Sequence, residues 1–144
     1  MVTSNENELV NSYMCMLSNG KKINDILKIM ANSKNGVLFN CSAGKDRTGV
    51  IAFLILMFSN CYEEDIVADY SLSYIYLKND IDNKRKTNKN LSSHYGKSDA
   101  DYMFKLISLF FKKYNDFNNY IKVNNINIEY INKIKDNFLE DVKE

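Results

Sequence analysis

Val37-Leu-Phe-Asn-Cys41-Ser-Ala-Gly-Lys-Asp-Arg47-Thr-Gly49 is the stretch on which the reading of this chain turns. Val37-Leu-Phe39 is a short apolar run with the length and composition of a buried strand, and the turn-forming Asn32-Ser-Lys-Asn-Gly36 precedes it. Val50-Ile-Ala-Phe-Leu-Ile-Leu-Met-Phe58 follows, apolar on every face as a helix surrounded by protein must be. A strand, a loop of small residues and a buried helix together predict an α/β fold with the loop at the junction. One strand cannot satisfy its own backbone groups. Further strands therefore lie in weakly patterned segments, or the chain is part of a longer fold, or a second copy completes the sheet as a homo-oligomer.

The loop has the parts that a phosphate requires. Ser42, Ala43 and Gly44 are small, so the backbone can curl with its amides toward a common centre. The helix that starts near Thr48 adds its N-terminal donors and partial positive charge at the same place. Arg47, in a Cys-x5-Arg spacing, can return across the loop and hold two phosphate oxygens at once, which a lysine cannot do. A thiol near ~8.5 in isolation falls to roughly 3.5–7.5 at a helix N-terminus beside a cation, so Cys41 is expected to be a thiolate nucleophile. Thr48 can donate its hydroxyl to the sulfur and ease its departure. The leaving oxygen needs a proton, and Asp46 inside the loop is the best-placed donor, with Asp25, Glu6 and Glu8 upstream as alternatives.

Around this centre the chain reads as helices. Leu9, Tyr13, Met16 and Leu17 fall at helical spacing, and Ile23, Ile26, Leu27 and Met30 repeat the pattern after Asn19-Gly20. A helix opens at Glu63-Glu-Asp65, where acidic residues suit the positive end of the dipole, and is expected to run to about Lys78. From there to Ser98 the pattern dissolves into Asn, Lys and Ser, which predicts a long loop. Met103, Leu106, Ile107, Phe110, Tyr114 and Phe117 share one helical face over 101–117, and a last helix spans about Ile128 to Val142.

With 144 residues, 45% of them hydrophobic, the chain fits a single domain over 1–144. A formal net charge of +1 supplies no global field for nucleic acid. The run Val50–Phe58 is about half of the ~18 residues that cross a bilayer, so no transmembrane segment is expected. Met1-Val-Thr-Ser-Asn-Glu-Asn-Glu-Leu-Val10 lacks the basic start and apolar stretch of a secretory signal. Cys15, Cys41 and Cys61 make an odd set without a Cys-x-x-Cys pair, which argues against disulfides and structural zinc and for a reducing cytoplasm.

The loop resembles that of the cysteine phosphatases, and within them the bacterial tyrosine-phosphatase group whose loop reads His-Cys-x-Ala-Gly-Lys-Asp-Arg-Thr-Gly. Asp69-Tyr-Ser-Leu-Ser-Tyr-Ile-Tyr-Leu77 is similar to the Asp-Tyr-Leu-x-Ser-x-x-Tyr-Leu helix of the group, and Tyr95-Gly96 with Tyr102 to its closing segment. The resemblance implies Cys41 as nucleophile, Arg47 as phosphate clamp, Asp46 as in-loop acid and Lys45 as a contact for additional phosphate. It implies phosphotyrosine as substrate, in some members phosphoserine, phosphothreonine or a phosphoinositide, with no metal or cofactor. Two departures are visible. Asn40 stands where the group has histidine, and the group's N-terminal portion has no counterpart, so the chain looks like the C-terminal part of such a domain.

The remaining chemistry-bearing residues have plainer readings. Cys15 and Cys61 lie among apolar residues and are expected to be buried, which leaves a redox use of the loop without a resolving cysteine. His94 and the cluster Lys84-Arg-Lys86 with Lys89 read as solvated loop, the cluster with an alternative use on acidic headgroups or peptides. Tyr70, Tyr74 and Tyr76 read as packing.

Overall fold

The computed structural model describes residues 6–91 and 95–139, with the Glu6 side chain left out. His94 and Val142 therefore lie outside the described residues. In chain order the helices are α1 (Glu6–Leu17), α2 (Gly20–Ala31), α3 (Asp46–Phe58), α4 (Glu63–Thr87), α5 (Ala100–Tyr114), α6 (Phe117–Val123) and α7 (Ile128–Phe138).

The apolar stripes read from the sequence are the ones that pack, save at the last helix, which ends at Phe138, short of the expected Val142, and leaves Phe138 47% exposed. Helix α3 sits at the centre, with Val50, Phe53 and Leu54 shut off from solvent and no residue from 50 to 58 fully exposed. Helices α1 and α4 pack on α3, and α5 packs on both of them. Helix α2 lies mainly against α7. Phe110 of α5 anchors an aromatic cluster, its ring centroid 5.5 Å from Phe53, 4.8 Å from Phe117 and 4.9 Å from Tyr120. Such ring pairs add to ordinary apolar burial.

Three expectations need correction. Val37-Leu-Phe39 is not a strand, and among the described residues there is none, so the α/β expectation is met only by a helix-dominated chain. Val37 and Phe39 still lean on the core while Leu38 is 95% exposed, the alternation of a strand without a neighbour to pair with. Second, α4 continues through the segment expected to be a loop, to Thr87. No glycine or proline interrupts Asn79–Thr87, Ile81 is buried there, and Lys84, Arg85 and Lys86 suit the negative end of the helix. Third, the long face over 101–117 is broken by Asn115 at φ +67°, which starts α6 at Phe117.

The turn after α4 is fastened back to it. Arg85 Nη2 donates to the Tyr95 carbonyl at 3.2 Å. Gly96 has φ +75°, and a Cβ there would stand 2.5 Å from the Ile81 side chain, so only glycine fits. This places residues 97–99 beside the loop that contains Cys41.

Candidate active site

Gly44, at φ +65°, reverses the chain, and Lys45 then stands at the N-cap of α3. The reversal gathers donors around one atom. Burial pushes the Cys41 thiol up, but the Thr48 hydroxyl and the backbone N–H groups of Thr48, Ala43 and Lys45 outweigh it. The thiol is brought down to about 6 from its ordinary 9.0. Thr48 Oγ1 is itself buried with no hydrogen-bond partner of ordinary geometry, so its hydroxyl is free to turn to the Cys41 thiolate, whose pKa it lowers. Ser42, Ala43 and Arg47 are exposed around the half-buried Cys41, and Arg47 forms no ion pair among the described residues.

Asn40, where the resemblance expects histidine, is exposed and donates its side-chain amide to the Cys41 carbonyl at 3.3 Å. An amide can brace the loop in this way but cannot bring a charge to the thiolate.

Asp46 lies in the first turn of α3, 41% exposed at the side chain. Its Oδ1 accepts a hydrogen bond from the Tyr13 hydroxyl of α1 and forms an ion pair with Lys45 Nζ at 2.9 Å. The Tyr13 hydroxyl lies 2.9 Å from that of Tyr70 on α4. Burial, with Tyr70 and Asp46 beside it, pushes the Tyr13 phenol far above its ordinary range, so it stays a donor. Burial also raises Tyr70, against its hydrogen bond with the Tyr13 oxygen, to which it donates while Tyr13 donates to Asp46.

Lys45 is turned away from the mouth of the loop. Its side chain is 5% exposed, and Nζ donates to the Lys97 carbonyl at 2.6 Å as well as pairing with Asp46. The expected contact with additional phosphate is therefore not presented; the ammonium instead joins the loop to residues 97–99. Of the alternative acids, Asp25 is exposed on α2, which packs mainly on α7, and Glu8 is exposed on α1.

Gly49 is explained by Tyr70. A Cβ at position 49 would stand 2.8 Å from Tyr70 Cδ2, so α3 and α4 approach through a glycine on one side and a buried ring on the other. Beside this contact a cleft of about 350 Å³ runs from the loop along α4, lined by Ala43, Gly44, Thr48, Asp69, Ser73 and Tyr76. Tyr76 is 82% exposed, contrary to its reading as packing. Cys15 is likewise exposed, because it faces away from Tyr13 and Leu17 on the helix, and Cys61 is partly buried. Among the described residues no group of three or more His, Cys, Asp or Glu is placed to hold a metal ion. No helix among them is long and apolar enough to cross a membrane.

The residue that the sequence reading passed over is Tyr13. Its place in an apolar stripe marked it as core, and only its hydroxyl, the one polar group on that face, hinted otherwise.

Comparison with known proteins matches a model described as the tyrosine phosphatase family to residues 2–140. A protein of Nostoc commune named tyrosine-protein phosphatase is 36% identical over 80 residues, a stretch that covers 54% of this chain and 27% of that protein. No solved structure matches.

Proposed function

The chain belongs to the tyrosine phosphatase family, and on that premise we propose that it hydrolyses phosphotyrosine monoesters through a phosphocysteine intermediate. The observation that carries this reading is the convergence of three backbone N–H groups and the Thr48 hydroxyl on the Cys41 sulfur, with the thiol at about 6. A group ionised at neutral pH at the foot of an anion-binding loop is an activated nucleophile.

The loop amides and the Arg47 guanidinium hold the phosphoryl oxygens. The Cys41 thiolate attacks phosphorus in line, the S–P bond forms, the P–O bond to the tyrosine breaks, and Asp46 gives its proton to the departing phenolic oxygen. Water then attacks phosphorus and passes a proton back to Asp46. The S–P bond breaks, and the Thr48 hydroxyl receives the returning thiolate. The sulfur stands in a shallow loop, with Ser42, Ala43 and Arg47 exposed around it, so the shorter phosphoserine and phosphothreonine and a phosphoinositide headgroup reach it as well.

Turnover of p-nitrophenyl phosphate, blocked by vanadate and absent in Cys41→Ser and Arg47→Ala, is the expected result. Undiminished activity in Cys41→Ser would refute it. A second reading, phosphate binding without turnover, is favoured by Asn40, which braces the loop through the Cys41 carbonyl but brings no charge. Calorimetry would then record phosphopeptide binding in the absence of hydrolysis, and Asn40→His would raise the rate.

A further inference from the structure

We infer that Tyr13 is a positioning residue for Asp46, holding its carboxyl group in the one orientation from which it can serve the leaving oxygen. This deepens the catalytic reading above and rests on it.

Asp46 is the only acidic side chain of the loop, and it lies 41% exposed at the start of a helix, where a short side chain on a single Cβ would otherwise sample several rotamers. Two donors remove that freedom. Tyr13 and Lys45 reach the same oxygen, Oδ1, from within the fold: Tyr13 is 1% exposed and the Lys45 side chain 5%. With Oδ1 committed inward, the second oxygen is the one left to face the mouth of the loop. A carboxyl group donates from one oxygen at a time, so anchoring Oδ1 assigns the transferable proton to Oδ2. The assignment holds in both half-reactions, because Oδ1 accepts from Tyr13 whether the group is a carboxylate or a neutral acid.

Tyr13 is itself fixed on two sides. Its hydroxyl has Tyr70 at 2.9 Å, and its ring meets that of Tyr70 edge to face at a centroid distance of 6.4 Å. Tyr70 packs in turn against Gly49, one turn along α3 from Asp46. The carboxyl group is thus referenced to α1 and α4, the two helices packed on α3. Tyr13 is too deeply buried to touch substrate, so it acts only through Asp46.

The test is the dependence of rate on the leaving group. Phenyl phosphate expels a phenoxide that needs a proton, whereas p-nitrophenyl phosphate expels one that scarcely does. Tyr13→Phe keeps the ring and removes the hydroxyl. We expect kcat/KM on phenyl phosphate, which reports formation of the phosphocysteine and not its hydrolysis, to fall about tenfold, a part of the ~10²–10⁴ that a general acid supplies. On p-nitrophenyl phosphate it should fall less than twofold, with vanadate inhibition unchanged as the sign of an intact loop. In an Asp46→Asn background, Tyr13→Phe should cost nothing further on either ester. Equal losses on the two esters, or a loss that persists in the Asp46→Asn background, would assign Tyr13 a structural role and overturn the inference alone. If Asp46→Asn itself shows no leaving-group dependence, or the parent chain turns over neither ester, the catalytic reading falls and the inference with it.

Discussion

Replacing Thr48 by Val exchanges one hydroxyl for one methyl in a side chain of the same branched shape, and so isolates the hydrogen bond to the Cys41 sulfur from the packing around it. A hydrogen bond to a charged group contributes about 1.5–3 kcal/mol, and the sulfur is only half-buried, so solvent takes over part of that. A value near ~1.4 kcal/mol corresponds to about one pH unit. The thiol, at about 6 in the parent, should therefore titrate near ~7 in Thr48→Val. At pH 6 the thiolate fraction falls from about one half to about one tenth, while at pH 8 it stays above about nine tenths. The rate of alkylation by iodoacetamide across pH, in a chain with Cys15→Ser and Cys61→Ser so that Cys41 alone reacts, reads this directly and does not depend on turnover. The variant should react about fivefold more slowly at pH 6 and equally at pH 8. The same ionisation is linked to stability. The folded chain holds the thiol below its unfolded value, so the contribution is complete above about pH 9 and is lost as pH falls through about 6. An unchanged titration in Thr48→Val, or a parent thiol that titrates near 9, would refute the account of the loop.

Gly49→Ala gains helix propensity worth about 1 kcal/mol but drives a Cβ to 2.8 Å from the buried Tyr70 ring, and overpacking costs about 1–3 kcal/mol. We expect a net loss of roughly 1 kcal/mol, visible in thermal unfolding as about 3–5 °C, and an increase in Tm would contradict the contact. Lys45→Met removes the buried ammonium between Asp46 and the Lys97 carbonyl. Amide hydrogen exchange at residues 95–99 should accelerate while α5 is unaffected, and unchanged exchange there would deny Lys45 its fastening role.

The two halves of this structure differ in how plainly the sequence announces them. The helices with amphipathic stripes could be read, because Ile23, Leu27 and Met30, or Leu106 and Phe110, are placed by a local period that tertiary contacts merely occupy. The second half of α4 could not, since one buried residue, Ile81, anchors it and the rest of its turns are polar. Its partners are Gly96 and the Tyr95 carbonyl, some distance along the chain. The stretch Val37–Phe39 has the composition and the alternation of a strand but lacks a neighbour, and strand structure is a property of pairs. In the loop, the sulfur and its donors follow from residue type and spacing over a few positions. The orientation of Lys45 does not. A lysine beside an arginine in a phosphate loop is most simply a second cation for the ligand, and only the approach of residues 97–99 turns it inward.

That inward turn changes what the loop is. Cys41 to Gly49 could be taken as a self-sufficient motif, yet its acid is held by Tyr13, 33 positions away, and its lysine by the Lys97 carbonyl, 52 positions away. Both tethers meet at Asp46 Oδ1, so a single oxygen joins the loop to α1, to the turn after α4 and, through Tyr70, to α4 itself. The ordering of Asp46 is thereby met when the chain folds and does not have to be met when phosphate binds, which is the condition under which a positioned acid lowers a barrier. It also means that losses at Tyr13 and Lys45 should not add. Each leaves the other donor on the same oxygen, so either single change loosens the carboxyl group in part, and only Tyr13→Phe with Lys45→Met releases it. A double-mutant cycle read on phenyl phosphate should therefore show a combined loss larger than the product of the separate ones. Simple multiplication of the two losses would mean that the tethers act on different groups.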